Sequence, residues 1–282
     1  MVLGLVLFTL MDALAKHLGE RYPALQVVWA RYAGQTGMLL ILLAPRLRTA
    51  LRSAVPGLQA LRSLCQFGST AIFFLSLTYL GLAEATAIFD VNPVLITLGA
   101  ALFLGERLGP RRIAGIVAAL VGAMIIIRPG SGVFAPASLL PLAGACCYAA
   151  FALVTRKVGT RDPLWTSLLY TGLVGTLVST AVLPWIWVPI EMDDLPGFLV
   201  IGLIGAAGQL FVIRAFSITE ASALAPFGYC SLILATFWGW MFWGRLPDGW
   251  TLVGMVVIAG AGLYVWHRET RTRPTASADG GV

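Results

Sequence analysis

Long apolar stretches and short polar turns alternate along the whole chain. The ten apolar stretches are 17 to 24 residues long, and an α-helix needs about twenty residues to cross the hydrocarbon core of a membrane. Turns such as Gly19-Glu20, Gly81-Leu82 and Gly109-Pro110 leave little chain between neighbouring stretches. We therefore predict an all-α membrane protein with ten transmembrane helices, at residues 2–18, 25–44, 61–81, 86–105, 112–128, 138–155, 164–187, 197–215, 221–243 and 250–266.

The two halves of the chain repeat each other. Glu84-Ala85-Thr86-Ala87 aligns with Glu220-Ala221-Ser222-Ala223, and Arg21 and Pro23 align with Arg161 and Pro163 at an offset of 140 residues. Each half contains five predicted spans, and because five is odd, the second half must enter the membrane from the opposite face. The pattern predicts two inverted five-helix repeats related by a pseudo-two-fold axis in the membrane plane.

We place the first repeat at residues 1–130 and the second at 138–266, followed by a polar, disordered cytoplasmic tail at 267–282. Carriers that work by alternating access share this architecture, and their substrate site lies between the repeats near the membrane midplane. A gene duplication without transport, as in a structural membrane protein, is the alternative.

Composition and charge agree with a membrane protein. Hydrophobic residues make up 59% of the chain and charged residues 11%, against about 25% charged in soluble domains. The net charge of +6 does not indicate a nucleic-acid partner, because the basic residues lie in short loops between apolar spans. Fourteen of them fall on one predicted face and four on the other, so the positive-inside rule places both termini in the cytoplasm.

No motif predicts an enzyme or a cofactor. The four cysteines lie inside apolar runs without the spacing of metal ligands, and no Walker, zinc or Ser/His/Asp motif occurs. Gly202, Gly205 and Gly208 recur every three residues in an apolar span, which favours close helix packing over a nucleotide-binding loop. We expect no metal and no other cofactor.

Four ionisable residues lie inside predicted spans, where an unpaired charge is costly and commonly functional. Asp12 and Lys16 stand one helical turn apart, Arg31 lies two turns into the second span, and Asp90 lies one turn into the fourth. All four belong to the outer half of the first repeat and are expected to converge. They form either structural pairs, Asp12–Lys16 and Arg31–Asp90, or binding groups for charged parts of a substrate. Asp12–Lys16 is the more natural structural pair, because pairing within one helix is easy.

Two prolines mark candidate helix breaks. Pro93 follows Asp90 and Asn92, and Pro226 precedes Tyr229 and Ser231. A proline inside a span frees a carbonyl, which is tolerated where it lines a cavity or finds another partner. The two broken helices therefore indicate the central site, with a purely structural kink as the alternative.

Other polar or amphipathic residues in the spans suit a planar or zwitterionic ligand, although for Trp238 plain packing is favoured. The predicted substrate-binding residues are Asp12, Lys16, Arg31, Gln66, Asp90, Asn92, Tyr148, Gln209, Tyr229 and Trp238.

Several motifs resemble a known family. The five-plus-five spans, the Pro93-Val94 pair running into LFLGERL before Arg111 and Arg112, and the later APFGY and GRLPD segments are similar to the EamA family of the drug/metabolite transporter superfamily. The resemblance covers nearly the whole chain. Family members usually carry a glutamate after the glycine that closes the fourth and the ninth span. Glu106 matches the first, whereas Arg245 replaces the second, so the outer end of the second half is expected to work differently.

The resemblance implies a secondary active transporter of a bacterial inner membrane. It leans toward permeases for amino acids, vitamins such as riboflavin, nucleoside-like compounds and S-adenosylmethionine. We expect a monomer or homodimer, surrounded by membrane lipid, that moves a small molecule by coupling to a proton, another ion or a substrate gradient. Asp12 and Asp90 are the candidate proton carriers. The rivals are a non-transporting scaffold or regulatory subunit, and a membrane-embedded transferase, for which clustered histidines or acidic residues are lacking.

Overall fold

The architecture is known from a computed structural model that describes residues 1–104, 109–128, 136–158, 161–218 and 227–272. Its α-helices are α1 (Val2–Leu18), α2 (Ala24–Leu43), α3 (Leu47–Ala50), α4 (Pro56–Leu77), α5 (Leu82–Phe89), α6 (Asn92–Leu104), α7 (Pro110–Ile127), α8 (Leu139–Val158), α9 (Leu164–Ile186), α10 (Leu195–Ile218), α11 (Cys230–Trp243) and α12 (Gly249–Thr272).

The helices follow the predicted spans with three differences. The third span starts earlier than predicted, because Pro56 occupies the first turn of α4, where its missing N–H costs nothing. The fourth span is divided into α5 and α6. Helix α12 continues to Thr272, so the first six residues of the predicted tail are helical. Residues 273–282, Glu106, Glu220 and Pro226 lie outside the described residues.

Large apolar side chains point away from the protein, as expected in lipid. Phe103 and Ile233 are 79% and 72% exposed. Within the described residues, five segments are long and apolar enough to cross a membrane: Ala24–Ala50, Pro56–Leu77, Leu82–Phe103, Pro136–Val158 and Leu164–Ile186. Shorter apolar helices accompany these five segments. The chain is an all-α, multi-pass membrane protein.

The helix contacts have the symmetry of two inverted repeats. Helix α2 packs on its equivalent α9, and α7 packs on its equivalent α12. Two contacts between non-equivalent helices have symmetry-related counterparts: α1 with α10 corresponds to α4 with α8, and α2 with α10 corresponds to α4 with α9. Thr36 and Thr176, which are 140 residues apart, meet through their hydroxyls at 3.0 Å, so the pseudo-two-fold axis passes close to this contact.

Glycines permit close approach of helices from different repeats. A Cβ atom on Gly34 of α2 would lie 2.8 Å from the Cα of Gly202 on α10, and a Cβ atom on Gly205 would lie 2.8 Å from Met11 Sδ on α1. A Cβ atom on Gly208 would meet Leu7 Cβ at 3.2 Å. The predicted packing role of the three glycines on α10 is thus confirmed.

Candidate functional site

The predicted break in the fourth span lies at Asp90. Helix α5 ends at Phe89, α6 begins at Asn92, and Pro93 occupies the second position of α6. The carbonyl of Phe89 would ordinarily accept a hydrogen bond from the backbone N–H of residue 93, which proline lacks. Asn92 Nδ2 donates to this carbonyl instead, at 3.1 Å. The amide of Asn92, predicted to bind substrate, is therefore engaged in completing the break.

Asp90 connects the break to the second repeat. Ser231 Oγ, at the start of α11, lies 2.6 Å from Asp90 Oδ2 and also 2.6 Å from the carbonyl oxygen of Gly228. Tyr229 forms the turn directly before α11. The equivalent regions of the two repeats thus meet at a carboxyl group inside the membrane. Asp90 points toward the protein interior and not toward lipid.

A second carboxyl group, that of Asp12, lies within electrostatic range of Asp90 and of the guanidinium of Arg31. Asp12 is half-buried on α1, and the charged groups that act on it are Arg31 and Asp90. Arg31 is only 5% exposed. Its Nη1 donates to Thr70 Oγ1 at 2.6 Å, and the guanidinium lies over the ring of Tyr32, 5.1 Å from its centroid. Arg31 and Asp90 thus lie within electrostatic range of Asp12, and that these residues bind substrate stays a prediction.

The two predicted structural pairs are not formed. Among the described residues, no ion pair joins Asp12 to Lys16 or Arg31 to Asp90. Arg31 donates to Thr70, and its buried Nε has no hydrogen-bond partner within the described part of the chain. Arg31 and Asp90 each lie within electrostatic range of Asp12, and no ion pair joins these three side chains in the described part of the chain.

Lys16 is not part of the central group. Its Nζ donates to the carbonyl oxygens of Leu77 at 2.7 Å and Leu80 at 2.6 Å, and it lies over the ring of Trp243 at 5.7 Å. Unpaired carbonyls at the end of α4 attract a cation, because they carry the negative end of the helix dipole. Lys16 thus joins α1 to the C-terminal end of α4.

Aromatic side chains surround the carboxyl groups. Tyr148 on α8 packs against Phe89, with centroids 5.8 Å apart, and Asp90 is a charged group that acts on its hydroxyl. Asp90 acts on Tyr229 as well, and the hydroxyl of Tyr229 occupies the space in which a side chain on Gly262 would lie. Tyr148 and Tyr229 therefore bring two phenol groups from the second repeat toward Asp90.

Trp238 is fixed by packing and by one hydrogen bond. Its Nε1 donates to Thr9 Oγ1 on α1 at 3.1 Å, and its ring stacks on Phe242 at 5.7 Å. These contacts are those of a packed side chain with a satisfied N–H, as the sequence favoured for this residue.

The two predicted glutamines are not joined to the central group by any hydrogen bond among the described residues. Gln66 is half-buried on α4, and its Oε1 is buried without a partner in the described part of the chain. Gln209 is half-buried on α10, which packs against α1 and α2.

Sequence reasoning missed two residues whose hydrogen bonds join helices inside the protein, Thr70 and Arg62. Thr70 accepts from Arg31 and from Tyr32, whose hydroxyl lies 3.1 Å away. Arg62 is one of the fourteen basic residues assigned to the predicted cytoplasmic face, yet it is 6% exposed and donates to Thr155, Thr171 and the Ser167 carbonyl. A threonine in an apolar span carries no distinctive signal, but Arg62 falls within the predicted span 61–81, and this position already placed it inside a helix.

Within the described residues, no group of three or more His, Cys, Asp or Glu side chains could hold a metal ion. The chemistry available at the site is therefore that of two carboxyl groups, one guanidinium, hydroxyls and aromatic faces, which can bind charged or amphipathic groups and exchange protons.

Named relatives span almost the whole chain. The pseudopaline exporter CntI of Pseudomonas aeruginosa is 31% identical, covering 92% of this chain and 92% of that protein. The riboflavin transporter of Rhizobium johnstonii is 30% identical, covering 96% and 91%. The S-adenosylmethionine uptake transporter of Rickettsia prowazekii is 25% identical, covering 96% and 92%. All three are named as transporters, and none as an enzyme.

A solved crystal structure superimposes with a TM-score of 0.64 over 96% of this chain and 99% of the other chain; at 20% identity it supports the fold alone. The family model described as the EamA-like transporter family matches residues 1–128 and again 135–266. With this double match over both repeats and its named relatives, the chain belongs to the EamA-like transporter family and is a membrane transporter, not an enzyme.

Proposed function

We propose that this protein is a secondary active transporter that works by alternating access and moves a small polar or amphipathic metabolite across a bacterial inner membrane. The observation that carries the proposal is the position of Asp90, in the break between α5 and α6 and 2.6 Å from Ser231 of the second repeat. An ionisable group inside a membrane is costly, and such groups commonly mark functional sites. The names of the relatives support an amino-acid-like, vitamin-like or nucleoside-like substrate.

The group formed by Asp12, Arg31 and Asp90 favours the binding of one additional positive charge. With both Asp12 and Asp90 ionised and Arg31 protonated, the group carries a net charge of −1. In surroundings of low dielectric this charge is costly, and either a proton or a cationic group of the substrate neutralises it. Proton and substrate therefore compete for the same carboxyl groups, which couples transport to a proton gradient.

The contacts of Ser231 suit both protonation states of Asp90. A hydroxyl has one hydrogen to donate and can accept others. When Asp90 is ionised, Ser231 Oγ donates to Asp90 Oδ2; when Asp90 is protonated, the carboxyl donates to Ser231 Oγ, which then donates to the Gly228 carbonyl. Both acceptors lie 2.6 Å from Ser231 Oγ. Ser231 Oγ can thus keep Asp90 hydrogen-bonded in either protonation state.

The proposal places both termini in the cytoplasm, following the basic residues of the loops. The opposite face then holds Lys16, which is influenced electrostatically by Glu20, Arg245 and Glu84. Arg245, which replaces the family glutamate, adds a positive charge there. We expect the outer end of the second repeat to attract anionic groups more than in relatives with the glutamate.

The proposed function is tested in two steps: the first identifies the substrate class, and the second tests the role of Asp90. A thermal-shift screen of the purified protein against amino acids, S-adenosylmethionine, riboflavin and nucleosides selects ligands, because binding to the folded form raises the melting temperature. Transport of each ligand is then measured in proteoliposomes with an imposed pH gradient.

Asp90→Asn should abolish transport driven by the pH gradient while the protein stays folded, because an amide cannot carry the proton. Exchange of labelled for unlabelled substrate, which needs no net proton movement, should be reduced less. Asp193→Asn, an exposed loop residue, is the matched control and should transport normally. Unchanged gradient-driven transport by Asp90→Asn at every pH would remove Asp90 from the mechanism.

A further inference from the structure

Polar contacts join the two repeats at one membrane face through Tyr22. We call this group the Tyr22 latch; it consists of Tyr22, Asp194 and the residues that bond to them. Tyr22 Oη donates to Asp194 Oδ2 at 3.0 Å and accepts the N–H of Glu191 at 3.0 Å. Arg21 Nη1 donates to Asp194 Oδ2 at 3.1 Å. Both Tyr22 and Asp194 are buried, although they lie in loops.

Asp162 forms a corresponding group, the Asp162 latch. Asp162 Oδ2 accepts from Ser53 Oγ at 2.5 Å and from Gln59 Nε2 at 2.9 Å. Asp162 Oδ1 accepts from the backbone N–H of Ala54 at 2.7 Å. Gln59 is fully buried and also donates to Ser167 Oγ at 2.9 Å. Here too, a loop of the first repeat is bonded to a loop of the second.

The pseudo-two-fold axis relates the two latches. Asp162 lies 140 residues after Tyr22, and Asp194 lies 140 residues after Ala54. The Tyr22–Asp194 contact therefore maps onto the Asp162–Ala54 contact. The residue types differ, since a phenol meets a carboxylate in one latch and a peptide N–H meets a carboxylate in the other. The latch positions are therefore equivalent in the two repeats, although the side chains at these positions differ.

The two latches lie on opposite membrane faces. The loops with Tyr22 and Asp194 follow the first and the seventh span, whereas the loops with Ala54 and Asp162 follow the second and the sixth. Loops after an odd number of crossings share one face, and loops after an even number share the other. Each latch therefore ties the repeats together at one end of the central site.

We propose that the Tyr22 and Asp162 latches are the two gates of the transporter and that they open alternately. The proposal rests on the alternating-access function proposed above. In a transporter built from two inverted repeats, the change between the two states exchanges symmetry-related contacts. The Tyr22 latch is therefore expected to close its face in one state, and the Asp162 latch is expected to close the opposite face in the other state. Both latches are formed in this structure, so the loops of the two repeats are bonded to each other at both faces. Asp194 and Asp162 are positioning residues that control access and do not touch the substrate.

The test measures access to the central site from each face. In a variant with Cys65, Cys146, Cys147 and Cys230 replaced by alanine, Ser231→Cys provides a single reporter thiol. A membrane-impermeant methanethiosulfonate reagent is added to one face at a time, using right-side-out and inside-out vesicles, and the labelling rate is recorded.

Asp194→Asn and Tyr22→Phe should increase labelling from the face that carries Tyr22 by roughly fivefold and decrease it from the other face, because loss of a hydrogen bond to a charged group shifts the open–closed equilibrium. Asp162→Asn should have the reverse effect. Asp193→Asn, the exposed neighbour of Asp194, should change neither rate. Tyr22→Phe and Ser53→Ala remove one hydroxyl each and serve if an aspartate variant does not fold.

Faster labelling from the same face in both aspartate variants would overturn the proposal, as would equal behaviour of Asp194→Asn and Asp193→Asn. Labelling needs neither substrate nor gradient, so its result is separable from the transport assay. Reciprocal labelling without transport of any tested metabolite contradicts the proposed substrates and leaves the gates in place. Transport without reciprocal labelling contradicts the gates alone.

Discussion

Individual polar residues inside this membrane protein serve first to satisfy one another. Asn92 replaces the backbone hydrogen bond that Pro93 cannot give, and Lys16 occupies the carbonyls at the end of α4. An unpaired backbone group in hydrocarbon costs several kcal/mol, so such local partners are a condition for a broken helix. Asp90, by contrast, has a partner in the other repeat, and Arg31 keeps a buried N–H without one among the described residues. These two residues are the best placed to respond to a ligand.

Asp194 predicts a pH dependence of stability. Its burial by itself raises the pKa of the carboxyl, but hydrogen bonds from Tyr22 and Arg21 outweigh this effect and lower the pKa below its ordinary value. A group with a lowered pKa in the folded state stabilises the protein above its unfolded pKa, about 3.9 for aspartate, and this stabilisation is lost as the pH falls through the folded pKa. The melting temperature of Asp194→Asn should therefore lie below that of the parent protein at pH 7.

The difference in melting temperature between Asp194→Asn and the parent protein should stay constant down to about pH 5 and shrink below about pH 4. Asp193→Asn should show no such difference at any pH. If the difference in melting temperature between Asp194→Asn and the parent protein widened on acidification, the Asp194 carboxylate would not be what stabilises the folded state.

At the scale of helices, the glycines of α10 decide how closely the two repeats approach. Gly202 faces Gly34 of α2, and Gly205 leaves space for Met11 and for the side chain of Arg31, whose Nε would lie 3.6 Å from a Cβ atom there. Close contact of small residues supplies packing between membrane helices, where lipid removes most of the hydrophobic driving force. The same contacts fix the position of Arg31 relative to α1.

Gly34→Ala should destabilise the protein by about 1–3 kcal/mol, the usual cost of overpacking a tight contact. The added methyl group would lie 2.8 Å from the backbone of Gly202, which cannot move independently. Gly37→Ala, three residues further along α2, is the matched control, because no atom lies within 4 Å of its added Cβ. Thermal unfolding in detergent compares the two, and equal melting temperatures would show that α2 and α10 do not pack as described.

At the scale of the whole molecule, contacts fall into two classes under the pseudo-two-fold axis. The Thr36–Thr176 contact maps onto itself, as does the packing of α7 on α12. The latches map onto each other. Contacts of the first class are expected in both states of the transport cycle, whereas contacts of the second class are expected to alternate.

Cross-linking distinguishes the two classes. In the cysteine-free background, a link between Thr36→Cys and Thr176→Cys should leave most transport intact, because these positions lie close to the axis and move little relative to each other. A link between Tyr22→Cys and Asp194→Cys should stop transport, and reduction should restore it. Loss of transport on linking the axis positions, or full transport with the latch positions linked, would contradict this division.

The sequence by itself determined the helices, the two repeats and the location of the break at Asp90. Span length, the odd number of spans in each repeat and the missing N–H of proline are properties of the chain, and the membrane permits few alternatives once they are set. The positions of Asp12, Arg31 and Asp90 along their spans likewise predict that the three side chains lie at similar depth.

Only the tertiary structure decided which partners these residues have. Lys16 bonds to carbonyls 61 and 64 residues away and not to Asp12 one turn below, and Arg31 bonds to Thr70 and not to Asp90. The sequence could not predict the latches either, because the two repeats carry different side chains at the equivalent latch positions. Such contacts depend on how helices from distant parts of the chain cross and rotate against one another, and spacing within a single span carries no information about that.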